Sequence, residues 1–137
     1  VAQARKPLFV TKQTLLDLHD ELLDRFGGPR GFDVIKVCSV AAYPQQKFAY
    51  DATYRDIQAL AGALAFAVAK EFHAFTDGNK RTALAAMALF LLQNDFELMA
   101  SNDEARDTIL ELAAGAIGEE DMVQWVRDNS QARLPFV

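Results

Sequence analysis

Residues 59–93 read ALAGALAFAVAKEFHAFTDGNKRTALAAMALFLLQ: two apolar, alanine-rich runs, Ala59 to Ala69 and Ala83 to Leu92, with the polar residues gathered between them. Each run is about half of the roughly 20 residues that a membrane-crossing helix requires, so both read as buried helices of a core. The second helix, about Gly78 to Gln93, is apolar almost all the way round, which marks a central helix packed on by others. Its only charged residues, Lys80 and Arg81, sit in the first turn, the end at which a helix dipole favours anions over cations. That placement predicts a negatively charged ligand there.

Helical spacing returns on both sides of this stretch. From Thr11, the residues Leu15, Leu18, Leu22 and Phe26, flanked by Leu16 and Leu23, define one face of a first helix. Asp17, Asp20, Glu21 and Asp24 define its solvated face, and Gly27-Gly28 stops it. A short helix over about Asp33 to Ala42 is predicted to end before Pro44, because proline disfavours the helical conformation in the residue preceding it. Pro44 to Tyr54 then reads as a loop or small flap, Tyr54 to Glu71 as helix, and Phe72 to Asp77 as a polar connection. Beyond the central helix, Ser101-Asn102-Asp103-Glu104 is a capping box opening a helix to about Ala114. A last amphipathic helix runs from about Glu119 to Asn129 with Met122, Val123, Trp125 and Val126 apolar. Strand signals are nearly absent, the best being Phe96-Glu97-Leu98. The expected fold is all-α, a compact bundle around the buried Gly78–Gln93 helix, and 137 residues suit one domain over 1–137.

Charge and cysteine content narrow the function. A formal charge of −5 is the wrong sign for a chain that binds by neutralising a phosphate backbone, so no direct nucleic-acid partner is expected. One cysteine, Cys38, cannot form an internal disulfide, and no CxxC pair or His/Cys cluster supplies a zinc site. Cys38 and Trp125 read as core residues, and His19 as a packed histidine without a direct role. With neither a membrane span nor a secretory signal in view, no membrane partner is expected and the cytoplasm follows by default.

The chemistry concentrates in His73-Ala74-Phe75-Thr76-Asp77-Gly78-Asn79-Lys80-Arg81. Free N–H groups at a helix start bind phosphate oxygens, Gly78 admits an anion close to the backbone, and Arg81 offers a planar fork for two phosphate oxygens. Asp77 contributes a hard oxygen suited to Mg²⁺ that is otherwise held by nucleotide phosphates. His73 is an imidazole able to accept a proton near neutral pH, as activation of a hydroxyl nucleophile requires. Phe75 is expected to point inward and anchor the loop.

The same stretch resembles the signature HPFx(D/E)GN(G/K)R of Fic-domain proteins, agreeing at His73, Phe75, Asp77, Gly78, Asn79, Lys80 and Arg81. Lys80 is the residue of the Doc branch, and Ala74 replaces the usual proline. The likeness also takes in Leu18-His19-Asp20, Gly27-Gly28 and the apolar helix Thr82 to Gln93. It implies a Fic/Doc-type helical fold with His73 as general base, Asp77 positioning Mg²⁺, and Gly78, Asn79, Lys80 and Arg81 holding the phosphates of ATP. It further implies a toxin that transfers the γ-phosphate to a protein hydroxyl, with elongation factor Tu as the target known for the family. Leu84, standing where nucleotide-transferring relatives place a second arginine, favours the kinase over an AMP- or UMP-transferring enzyme. An inactive module of the same fold is the third reading, and it sits poorly with a complete set of chemical groups. No self-inhibiting Ser/Thr-xxx-Glu-Gly/Asn helix is found, so the resemblance implies control by a separate Phd-type antitoxin. Lys47, Phe48 and Tyr50 fall where such proteins carry a flap that aligns the target. Phe32 and Cys38 replace an arginine and a glutamate found in many Doc relatives.

Overall fold

The computed structural model describes residues 6–133. Within them the chain forms α1 (Lys12–Phe26), α2 (Val34–Tyr50), α3 (Ile57–Phe66) running into a π-helical turn (Ala67–Glu71), α4 (Asn79–Gln93), α5 (Asn102–Ala114) and α6 (Glu119–Asp128). Two short strands, β1 (Phe96–Leu98) and β2 (Ser130–Ala132), pair antiparallel with Phe96 opposite Ala132 and Leu98 opposite Ser130. The all-α class expected from the sequence holds, and the brief Phe96–Leu98 signal is a strand. No helix among the described residues is long and apolar enough to cross a membrane.

Side-chain size explains the layering. Every residue from Ala59 to Ala65 in α3 is buried, and its alanines let α2, α4 and α6 close in around it. At Gly62 the approach is closest: a Cβ there would lie 2.8 Å from both Cα and Cγ2 of Val123 on α6. The helix α4 is packed by α1, α3, α5 and β1, and buries Thr82, Ala83, Ala86, Met87, Phe90 and Leu91. Leu60, Leu64, Phe90, Leu112 and Met122 are wholly buried, and each such side chain contributes about 1.5–3 kcal/mol relative to exposure.

Polar side chains set the helix starts. The Thr11 hydroxyl accepts from the Thr14 N–H at 3.1 Å, and the Ser101 hydroxyl from the Glu104 N–H at 3.1 Å. The Asp33 carboxylate accepts from the Ile35 and Lys36 N–H groups at 3.0 and 3.1 Å. Each cap satisfies donors that the first helical turn cannot pair internally.

Three expectations need correction. The helix α2 does not end before Pro44 but continues to Tyr50, so Lys47, Phe48 and Tyr50 are helical and belong to no flap. An interior proline costs about 3 kcal/mol through its missing N–H, and packing of the following turn offsets it. Pro44 is itself buried beside Val37, Val40 and Ala41, Phe48 meets Phe9 edge-on at 6.1 Å, and the Lys47 ammonium lies over the Tyr43 and Tyr54 rings. Cys38 is exposed rather than core, because Val37, Val40 and Ala41 define the buried face and Cys38 lies one helical step off it. The helix expected from Tyr54 starts at Ile57, and its last five residues wind as a π-turn.

Candidate active site

The segment between the π-turn and α4 carries the groups singled out in the sequence. It begins at His73, whose φ of 48° places a non-glycine residue in the left-handed region. Such a conformation costs about 1 kcal/mol or more, and the surroundings must hold it. They do so by a short antiparallel pairing: the Asp33 N–H donates to the Ala74 carbonyl at 2.8 Å, and the Thr76 N–H to the Gly31 carbonyl at 2.9 Å. Gly31 lies close to Thr76 at this crossing: a Cβ would come within 2.7 Å of the Thr76 hydroxyl, which would have to turn aside. Arg30 ties the same strand segment to α1 through ion pairs with Asp20 and Asp24, so these two acidic residues do more than solvate the helix.

Ala74 and Phe75 point inward, 2% and 3% exposed, as expected for the loop's anchor. The Asn79 side chain clasps the Phe75 backbone from both sides. Its Nδ2 donates to the Phe75 carbonyl at 2.8 Å and its Oδ1 accepts from the Phe75 N–H at 3.2 Å. Both ends of this amide are thereby engaged within the protein, which leaves the Asn79 backbone N–H as its group facing the helix start.

His19, read from the sequence as a packed residue without a role, is 3% exposed and lies directly beneath the loop. Its ring stacks on Phe75 with centroids 3.9 Å apart and planes 17° apart, and its Nε2 is 2.8 Å from the Asp77 carbonyl oxygen. A carbonyl can only accept, so Nε2 carries the proton. Its position was legible in a pattern: Leu15, His19 and Leu23 recur every fourth residue, and all three are buried. Gly28, read as a helix stop and as part of the family likeness, has a φ of 119°, and a Cβ there would collide with the Asp77 carboxylate. The loop 27–31 therefore rests against the side chain that the sequence nominates for Mg²⁺.

At the mouth of α4, Gly78 adopts a φ of 84° in the left-handed region, and no side chain caps the helix. The first-turn N–H groups of Asn79, Lys80 and Arg81 thus lack the partner that Thr11, Asp33 or Ser101 supply elsewhere. His73, Asp77, Lys80 and Arg81 are exposed on this junction, while Gly78 and Asn79 are half-buried. Arg81 lies over the exposed Phe26 ring, its guanidinium carbon 4.2 Å from the ring centre. The arrangement offers an imidazole, a carboxylate, two cations and unpaired backbone donors at one loop-to-helix junction, a set suited to a phosphorylated ligand.

The residues present fit a nucleotide-held Mg²⁺ better than a protein-caged metal. Among the described residues no group of three or more His, Cys, Asp and Glu side chains could enclose an ion. A lone hard carboxylate beside an anion site is what a cation carried chiefly by phosphates requires.

Comparison with known proteins places the chain in a family. The model of the Fic/DOC family matches residues 9–91, from the N-terminal side of α1 through nearly all of α4, and the chain belongs to that family. Within it, the chain is 31% identical over 121 residues to Protein kinase doc of Escherichia phage P1, across 88% of this chain and 90% of the phage protein.

Proposed function

We propose that this chain is a Doc-type toxin: a kinase that moves the γ-phosphoryl group of ATP to a hydroxyl on a host protein. The observation that carries the reading is the uncapped start of α4, with Lys80 and Arg81 exposed beside it and His73 exposed on the loop leading into it. The likeness to a phage protein that bears the name of a kinase adds support.

In this reading the first-turn N–H groups of α4 and the Lys80 and Arg81 side chains hold the triphosphate, with Arg81 as the planar fork. His73 accepts the proton of the target hydroxyl while that oxygen bonds to the γ-phosphorus. The bond from the γ-phosphorus to the bridging oxygen breaks, and ADP leaves. Asp77 would hold Mg²⁺, which supplies neutralisation of charge on the phosphate oxygens when bound. Asn79 keeps the loop closed through Phe75. Catalysis of this kind is mostly positioning and charge stabilisation, which a small site can deliver. Elongation factor Tu is the first target to test, and a Phd-type antitoxin the first regulator, with a tail that folds onto the toxin. The cytoplasm is the compartment where such a target and ATP coexist.

Incubation of the protein with a cell lysate and ATP labelled at either the α or the γ position tests the assignment. Transfer of γ-label alone, lost in His73→Ala, is the expected result. Transfer of α-label would make the chain a nucleotidyltransferase, and undiminished toxicity of His73→Ala on expression would make it a binding module. Removing a general base typically lowers such rates by about 10²–10⁴-fold.

A further inference from the structure

We infer that His19 is a positioning residue for Asp77: its imidazole N–H grips the Asp77 carbonyl from below and so sets the direction of the carboxylate above. The inference rests on the reading of Asp77 as the Mg²⁺-holding group, and concerns how this chain's own residues aim it.

The imidazole occupies a place where an apolar side chain would pack at least as well. Its neighbours along α1, Leu15 and Leu23, are buried, its face lies on Phe75, and it is itself 3% exposed. Burying a polar ring without a hydrogen bond costs free energy that a leucine would not incur. What the histidine adds is one donor, and that donor meets the Asp77 carbonyl at 2.8 Å. This carbonyl precedes the first helical residue of α4 and lies outside the helix ladder, so the contact is its anchor to α1.

The far side of the same residue is bounded too. Gly28 is so close to the Asp77 carboxylate that a Cβ would overlap it, and the same Cβ would come within 3.3 Å of the Leu23 side chain. Asp77 is therefore held at its backbone by His19 and abutted at its side chain by Gly28, both placed by α1. An indirect support of this kind commonly governs how well a ligand carboxylate binds its ion.

The test compares His19→Phe, which keeps the stack on Phe75 and loses the donor, with His19→Gln, whose Nε2 reaches nearly the same point. Mn²⁺ serves as a spectroscopically visible probe, titrated by electron paramagnetic resonance into the full chain with a non-hydrolysable ATP analogue. Mn²⁺ affinity is expected to fall about tenfold in H19F and to return toward the parent value in H19Q, while analogue affinity without divalent ion stays unchanged in both. Parent-like Mn²⁺ affinity in a folded H19F, or equal losses in H19F and H19Q, would overturn the inference. Should H19F fail to fold, H19N, one methylene too short to reach the carbonyl, takes its place. If the parent binds no Mn²⁺ with the analogue, the Asp77 metal reading is what fails. Amide hydrogen exchange across residues 76–79 then decides: faster exchange in H19F with parent-like exchange in H19Q sustains the inference, and equal exchange in all three ends it.

Discussion

Phe26, the last residue of α1, carries the Arg81 guanidinium 4.2 Å above its ring centre although the ring is 59% exposed. An apolar ring left in solvent at a helix end gains from such a cover, and the cation gains a fixed plane from which to meet an anion. The stack pre-orders the side chain that the kinase reading assigns to the triphosphate.

Phe26→Ala should leave thermal stability almost unchanged and weaken binding of Mg²⁺-ATP by about two- to fivefold, the equivalent of an exposed cation–π contact. Isothermal titration calorimetry on the parent and the variant checks it. Tighter binding in the variant would mean that the ring withholds the guanidinium instead of presenting it.

Asn79 makes two hydrogen bonds to one residue's backbone, so its loss should register in stability as well as activity. Asn79→Ala is expected to cost about 1–2 kcal/mol, taking each bond at its typical net value, read as a lower denaturation midpoint in urea. Asn79→Asp should do no better, because it replaces the donor to the Phe75 carbonyl with a second acceptor.

Gly62→Ala probes the closest helix contact. The added methyl would press on the Val123 backbone, which cannot swing aside as a flexible side chain does. A loss of about 1–3 kcal/mol is expected from such overpacking, measured as a fall in melting temperature by circular dichroism. A neutral result would show that α3 and α6 can separate freely at that point.

Between α2 and α6, the Tyr43 and Tyr54 hydroxyls each donate to Glu119 at 2.6 Å. Burial, and then the Glu119 carboxylate, push both phenols well above their ordinary value. For a group whose pKa is raised by folding, the stabilisation is whole below the unfolded value near 10 and is lost as pH climbs through the interval toward the folded value. Melting temperature should therefore decline as pH rises beyond about 10, and the decline should be shallower in the Tyr43→Phe, Tyr54→Phe double variant. Parallel curves would remove the two phenols as its cause.

Periodicity made α1, α4, α5 and α6 legible, because each carries one apolar stripe or an apolar surround between recognisable ends. Thr11, Gly27 and Ser101 mark such ends with side chains or conformations that have few alternatives. Pro44 misled for a tertiary reason: local preference says stop, while the contacts of Tyr43, Lys47 and Phe48 with residues distant in sequence keep the helix going. Cys38 misled through a one-residue offset that only the packed face resolves. In the site, motif residues were visible because their chemistry is unusual for a loop. Their supports were less visible, since His19, Gly28 and Phe26 sit 45 or more residues upstream and acquire meaning only when α1 lies under the loop.

The wide turn at Ala67–Glu71, closed by a bond from the Phe72 N–H to the Ala67 carbonyl at 3.3 Å, spends one more residue than an α-helical turn would. Were Ala67–Glu71 to wind as an ordinary α-helical turn with no residue removed, the chain leaving it at His73 would be rotated by about 100° and advanced by about 1.5 Å. The imidazole would then leave the bundle on a different side from the cations, which remain seated on α4. Spacing in this segment is thus as consequential as composition: tightening the turn by one residue would spare every reactive group and still aim them at different points.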